Sequence, residues 1–182
     1  MKNSNVGDAE VDGYDIELKA LLNENFEIGF NMTDIRDAYV NAAQVYDDPR
    51  AVGGQVPSGL EPQSALPLFA DNSYYLYAEY SGFNVFGGSA GIRVQHSHVG
   101  ESLNQLTDGF TSPRMTQGDY EITDAVLSWQ NDKWSAQLRF GNISDERGIT
   151  YEDTSDFDTV WGRNSSAVIR PRNYSLNIRH YF

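Results

Sequence analysis

Along most of the chain, apolar and polar residues alternate one by one, which commits the backbone to extended strands with one oily and one wet face. Tyr14, Ile16, Leu18 and Ala20 share one face of a first strand, against Asp15, Glu17 and Lys19 on the other. Phe26, Ile28, Phe30 and Met32 alternate with Glu27, Gly29, Asn31 and Thr33 in a second. The pattern returns with Phe86, Ala90, Ile92 and Val94 against Gly87, Ser89, Gly91, Arg93 and Gln95. Trp134, Ala136, Leu138 and Phe140 then oppose Ser135, Gln137, Arg139 and Gly141, and Tyr174, Leu176, Ile178 and Phe182 oppose Ser175, Asn177, Arg179 and Tyr181. Segments 73–80 and 120–130 read as strands with less regular alternation. The total is about seven strands, many near the 9–11 residues that a membrane-crossing strand needs.

The connections carry a second signal. Segments 22–25, 81–84 and 130–133 read as short turns of Asn, Asp, Ser and Gly, whereas 39–72, 97–119 and 145–172 are long and irregular. Short and long alternate strictly, as in an up-and-down barrel with tight periplasmic turns and long extracellular loops. All six prolines (Pro49, Pro57, Pro62, Pro67, Pro113 and Pro171) fall in the long stretches, where no ladder hydrogen bond is lost. A compact soluble domain rarely tolerates connections of that length. The expected fold is therefore all-β: an antiparallel up-and-down transmembrane β-barrel segment. No internal repeat and no long segment of helical period competes with it.

Composition closes other routes. With 26 acidic against 13 basic residues the net charge is -13, which disfavours nucleic acid and a polybasic membrane anchor. The absence of cysteine removes disulfide scaffolds, thiolate zinc sites and cysteine nucleophiles. No run approaches the roughly 20 apolar residues of a transmembrane helix, but barrel strands average to moderate polarity and escape such a scan. Met1-Lys2-Asn3-Ser4-Asn5 has no apolar core of the kind an export signal carries, so that signal is expected upstream.

Three stretches, in order, carry a family resemblance. Asn5-Val6-Gly7-Asp8-Ala9-Glu10-Val11-Asp12-Gly13-Tyr14-Asp15-Ile16-Glu17 is similar to an N-x-G-x-A-x-x-x-G-x-E-x-E pattern, with Asp15 at a position where Glu is usual. Asn142-Ile143-Ser144-Asp145-Glu146-Arg147 is similar to N-L-F-D-E-x, with Ser144 in place of the aromatic. The stretch from Arg170-Pro171-Arg172 through Tyr174-Ser175-Leu176 to Phe182 is similar to a P-R-x-Y-x-L-x-x-x-x-x-F closing strand, with His180 where an apolar or aromatic residue is usual. Together they resemble the C-terminal part of the barrel of a TonB-dependent receptor.

That resemblance implies that residues 1–182 are the last third of a larger barrel of roughly 22 strands. The plug domain, the TonB box and the earlier strands would lie outside the chain. It implies the Gram-negative outer membrane as location and energy-coupled uptake of a scarce nutrient, such as an iron–siderophore complex, as function. Tyr174, Leu176, Ile178 and Phe182 would form the barrel-closing strand read by the barrel-assembly machinery. Glu17, Lys19, Arg93, Arg139 and Arg179 would face the lumen, where charge is tolerated. Expected partners are outer-membrane lipid and lipopolysaccharide, with the plug and TonB engaged only through the missing part. No nucleic acid and no cofactor is expected, and the small-molecule ligand is left unnamed. Two rival readings are a small independent outer-membrane barrel (an adhesin or structural protein) and a secreted all-β carbohydrate-binding domain.

No catalytic constellation is expected. Gly87-Gly88-Ser89-Ala90-Gly91 matches the G-x-S-x-G nucleophile elbow, but it sits in an alternating strand with no helix after it. His96 and His98 lie two apart on one strand face without a third ligand nearby in sequence, which is a weak metal signal. The acidic run of Asp145, Glu146, Glu152, Asp153, Asp156 and Asp158 could attract calcium but lacks the EF-hand pattern, so a solvated loop is expected. Tyr74, Tyr75, Tyr77, Tyr80, Phe83 and Phe86 are expected around a periplasmic turn, with Trp129 and Trp134 at another, as an inner aromatic girdle.

Overall fold

The computed structural model describes residues 7–42, 45–47, 55–57, 64–106, 113–154 and 165–182. Among these there is no helix; the elements are β1 (Gly7–Asn23), β2 (Phe26–Ala42), β3 (Val45–Asp47), β4 (Gln55–Pro57), β5 (Ser64–Ala65), β6 (Asn72–Val85), β7 (Gly88–Val99), β8 (Ser102–Leu103), β9 (Thr116–Gln117), β10 (Tyr120–Gln130), β11 (Trp134–Gly141), β12 (Ile149–Asp153), β13 (Ser165–Val168) and β14 (Asn173–His180). One antiparallel sheet runs in the order β1-β2-β6-β7-β10-β11-β14, with β5 added alongside β2. Each neighbour in that order follows directly or across a long connection, so the wiring is up-and-down. Within the long connections, β3–β4, β8–β9 and β12–β13 form small two-stranded sheets of their own.

Register sorts the side chains, because residues directly opposite each other share a face. One row reads Ala20, Ile28, Ala78, Val94, Ala125, Phe140 and Tyr174 across all seven long strands. The row beside it, Phe26, Tyr80, Ile92, Leu127, Leu138 and Leu176, is equally apolar. The other face carries Lys19, Gly29, Tyr77, Gln95 and Asp124 in one row and Gln130, Ser135 and Arg179 in another. Leu18 (61%), Leu176 (63%) and Ile178 (60%) stand exposed on the apolar face, and among the described residues only Val40 and Ile169 are buried hydrophobics. A sheet with its oily side bare has exchanged a packed core for an apolar surrounding.

The two faces change places near one end of the sheet. Below Tyr14, β1 points Ile16, Leu18 and Ala20 outward and Asp15, Glu17 and Lys19 inward. Above it, Asp8, Glu10 and Asp12 lie on the outward face, while Ala9 and Val11 share the inward side with Val40 and Ala38 of β2. On β10, Leu127 and Ala125 give way outward to Thr123 and Glu121, while Ile122 turns inward. The inversion places the upper edge of the apolar band at Tyr14 and, on the other strands, at Tyr74, His98, Phe140 and Tyr174. From Leu22 to Tyr14 the band spans about 26 Å of strand at about 3.3 Å per residue, the length expected of a tilted strand crossing an outer membrane.

Two expectations are corrected. The turn between β6 and β7 is not at 81–84: β6 continues to Val85, which pairs with Gly88 around Phe86 and Gly87. Both turn residues have left-handed backbone, φ 49° and 69°, the geometry of the tightest hairpins. The Ser81–Gly82 stretch instead forms an irregularity between Tyr80 and Phe83. The tyrosines do not form one girdle either. Tyr80 and Phe83 pack edge-on at the lower, turn end with centroids 4.7 Å apart, Tyr74 stands at the upper edge, and Tyr75 and Tyr77 are on the polar face.

Candidate functional site: the inner wall and the loop layer above it

The polar face is one connected hydrogen-bonded wall. Lys19 Nζ lies 2.9 Å from Glu27, which also accepts the Tyr77 hydroxyl proton at 2.6 Å. The Tyr77 ring lies across β2 in space that only a glycine leaves free, since a Cβ on Gly29 would collide with it. The Arg93 guanidinium lies over that ring, 3.9 Å from its centre. Arg93 also pairs with Glu79 at 3.1 Å and donates to the Tyr75 hydroxyl at 2.8 Å. Tyr75 donates on to Gln95 at 3.0 Å, and Gln95 to Asp124 at 3.2 Å. Arg139 closes the run on Asp124 at 2.6 Å.

Asp124 joins this wall to the loops. Its second carboxylate oxygen accepts the Asn142 backbone N–H at 2.9 Å. Asn142, in left-handed conformation with φ 49°, donates from its side chain to the carbonyls of Glu146 (2.9 Å) and Arg170 (3.0 Å) and accepts from the Glu146 N–H at 2.9 Å. Asp145 accepts the Arg172 N–H at 2.9 Å. The Asn142–Arg147 motif is thus a clasp: it holds both feet of the connection from β11 to β14 against β10.

Beyond the clasp, the long connections are stitched together by buried polar side chains, each satisfied. Asn104 donates to the Glu152 carbonyl (3.1 Å) and to Thr154 Oγ1 (3.0 Å), and accepts the Met115 N–H at 2.7 Å. Thr154, 1% exposed, donates to the Pro113 carbonyl at 2.8 Å. Gln117 accepts the Glu152 N–H at 2.8 Å, and the Glu152 carboxylate accepts the Ser166 hydroxyl. Backbone bonds from Leu68 to Leu103 (2.8 Å) and from Asp71 to Glu101 (3.0 Å) tie the connection after β2 to the one after β7.

Of the residues singled out from sequence, Glu17, Lys19, Arg93, Arg139 and Arg179 all stand on the polar face, and Lys19, Arg93 and Arg139 are members of the wall network. Tyr174, Leu176 and Ile178 line the outward face of β14 opposite Phe140, Leu138 and Ala136. Phe182 lies two residues past the end of β14 and packs edge-on against His180, which itself lies 4.3 Å from Trp134. His180 therefore fills the place of an aromatic. In the acidic run, Asp145 and Glu152 are held by internal hydrogen bonds, while Asp156 and Asp158 lie outside the described residues. Asn5 and Val6 of the first motif also lie outside them. Sequence reasoning missed Asp124, Glu27 and Tyr77. The signal available for Tyr77 was a bulky ring in register with a glycine.

No family model and no curated protein matches the chain by sequence. Solved structures do match it in three dimensions. The ferric yersiniabactin uptake receptor FyuA of Yersinia pestis superposes with a TM-score of 0.69 and 20% identity, over 98% of this chain and 24% of that one. The ferric-catecholate import receptor Fiu of Escherichia coli K12 gives 0.66 and 18%, over 96% and 21%. The siderophore receptor PiuA of Acinetobacter baumannii gives 0.65 and 17%, over 96% and 22%. The fold is that of a segment of the β-barrels of these three structures. The chain spans less than a quarter of the length of each of these receptors.

Proposed function

We propose that this chain is the closing segment of an outer-membrane receptor barrel that takes up a scarce nutrient, with a ferric siderophore as the substrate class. The observation that carries the reading is the two-sided sheet: a bare apolar band outside, a satisfied polar wall inside, and a loop layer anchored at one end. Binding modules and enzymes with a packed core do not leave Leu18, Leu176 and Ile178 bare in one continuous band. The substrates named for the three superposed receptors support that choice of substrate class. In this reading the polar wall from Lys19 to Arg139 faces the plug, and the loop layer lies outside the cell where ligand is first met. Energy reaches the plug from TonB, through parts of the protein beyond residues 1–182. The outward rows meet lipid and, at the upper edge, lipopolysaccharide. The strand from Tyr174 to Ile178, with Phe182, is what the barrel-assembly machinery would engage.

The test is heat-modifiable gel mobility after refolding in detergent, for the 182 residues alone and with the upstream reading frame attached. The reading requires the compact heat-sensitive band, and uptake of a radiolabelled ferric siderophore in cells, only from the longer protein. A compact band from the short chain would make it an independent small barrel, and the receptor reading would fall.

A further inference from the structure

The outward face is not evenly filled. At its lower end one row runs Phe83, Ala90, Trp129, Ala136 and Ile178 across β6, β7, β10, β11 and β14, so an alanine stands on each side of the indole. The Trp129 ring lies in space that a Cβ on Gly88 would occupy, and its N–H donates to the Val85 carbonyl at 2.9 Å. The one polar atom of the ring is thereby used, and only carbon is left for the surface. Between these residues and the bulkier neighbouring row, with Leu127 and Leu176, lies an open apolar groove of about 600 Å³. Phe86, 92% exposed at the β6–β7 turn, lines it as well. Asn84 lines this groove and also a second, polar recess of about 510 Å³, which it shares with Gln130, Asn131 and Asp132 at the neighbouring β10–β11 turn. Asp132 is the one charged residue of that lining.

We propose that groove and recess together bind one phospholipid with a zwitterionic amino headgroup, an acyl chain in the groove and the headgroup in the recess. The proposal rests on the reading that the apolar band faces lipid. In that surrounding the groove has to be filled, because an empty one forfeits the dispersion contacts of its lining on one side. A thin, flexible acyl chain fits a groove floored by Ala90 and Ala136. Its size and lining agree, since small-ligand sites span about 300–1,000 Å³ and are mostly apolar with a few placed polar groups. An apolar groove that continues into a polar recess selects an amphiphile, not a hydrocarbon. In the recess, the side-chain amides of Asn84, Gln130 and Asn131 are donors suited to a phosphate. The Asn131 side-chain oxygen accepts the N–H groups of Lys133 and Trp134 at 2.9 and 2.8 Å, which leaves its NH₂ for that role. The Asp132 carboxylate attracts an ammonium and repels a headgroup of net negative charge.

The experiment is native mass spectrometry of the intact protein taken from bilayers with equal amounts of phosphatidylethanolamine and phosphatidylglycerol. One phosphatidylethanolamine per chain is expected to stay bound after the other lipid is stripped. Ala136→Phe, which fills the groove, should lower the retained fraction about tenfold. Asp132→Asn should keep the lipid but cut its preference over phosphatidylglycerol by up to about fivefold. Heat-modifiable mobility confirms the fold of each variant. On the unaltered protein, phosphatidylethanolamine with a photoactivatable acyl chain should label segments 83–92 and 127–138 ahead of the rest of the band; this needs no variant to fold. Labelling spread evenly over the band would mean annular lipid only and would overturn the proposal. So would the absence of retained lipid, retention unchanged in Ala136→Phe, preference unchanged in Asp132→Asn, or a second copy of the chain seated in the groove. The barrel reading survives each of those results and falls separately, if no part of the band is labelled.

Discussion

The sheet lives in two solvents, and the contrast between its lower and upper parts shows what each demands. In the lower part, apolar side chains line one face of the sheet and charges pair on the other: Lys19 with Glu27, Arg93 with Glu79, Arg139 with Asp124. In the upper part, carboxylates of β1 point outward and small apolar residues inward, beside the buried Val40. The loop layer inverts the logic again, burying Asn104, Gln117, Glu152 and Thr154 as a satisfied polar core. One β-ladder runs through all of it, so the backbone is indifferent to the surroundings. Only the side chains record where the apolar band ends.

The contrast can be broken most forcefully at mid-band. Leu138→Arg sets a charge among Leu127 and Leu176 on the outward face and should destabilise the intact barrel by about 2–4 kcal/mol. Its neighbour Gln137→Arg, on the inner face, should cost less than about 1 kcal/mol, since charge is tolerated toward a wet interior. Denaturant unfolding in lipid vesicles reads both, and equal costs would deny the two faces different surroundings.

Asp124→Ala is expected to come next. It removes the acceptor of Arg139, Gln95 and the Asn142 N–H together, for a loss of about 2–3 kcal/mol, because Arg139 is itself half exposed and regains water. The same variant should free the loop clasp, so limited proteolysis should cut the connection between β11 and β14 faster. Asn142→Ala should reproduce the proteolysis at a smaller stability cost, about 1–2 kcal/mol. Unchanged cleavage in both would mean that the clasp holds nothing.

The upper part should be the most forgiving. Asp12→Asn, outward and above the band, should change stability by less than about 0.5 kcal/mol. The same measurement on Leu18→Asn, outward and within the band, should show a clear loss, which brackets the boundary between the two positions.

The strands were readable because a sheet with one apolar and one polar face must alternate along each strand. The seven long strands follow from that, and so does the place of Lys19, Arg93 and Arg139 on one polar face. What resisted reading has identifiable causes. Ser81-Gly82 has better turn chemistry than Phe86-Gly87, yet cross-strand pairing carried β6 five residues beyond Tyr80, to Val85. Tyr74, Tyr75 and Tyr77 look alike in a list of aromatics, and only the pleat separates the outward ring from the two inward ones. Asp124 is one polar residue among several in its strand; its value lies in Gln95 and Arg139 on the flanking strands and in Asn142. Glu121 and His98 are distant in sequence and become neighbours through register, which short-range pattern cannot give.

The most direct test of the two-solvent sheet is spin-label accessibility, made clean by the absence of native cysteine. Single cysteines at Glu10, Asp12, Leu18, Lys19, Gln137 and Leu138 of the intact protein in lipid bilayers would carry the label. Leu18 and Leu138 should be reached by oxygen dissolved in lipid and not by an aqueous nickel chelate. Lys19 and Gln137 should show no contact with lipid oxygen, and Glu10 and Asp12, on the same face as Leu18, should respond to the chelate alone. If Asp12 and Leu18 instead gave the same response, the inversion at Tyr14 would not mark the edge of the membrane, and the barrel reading would fail with it.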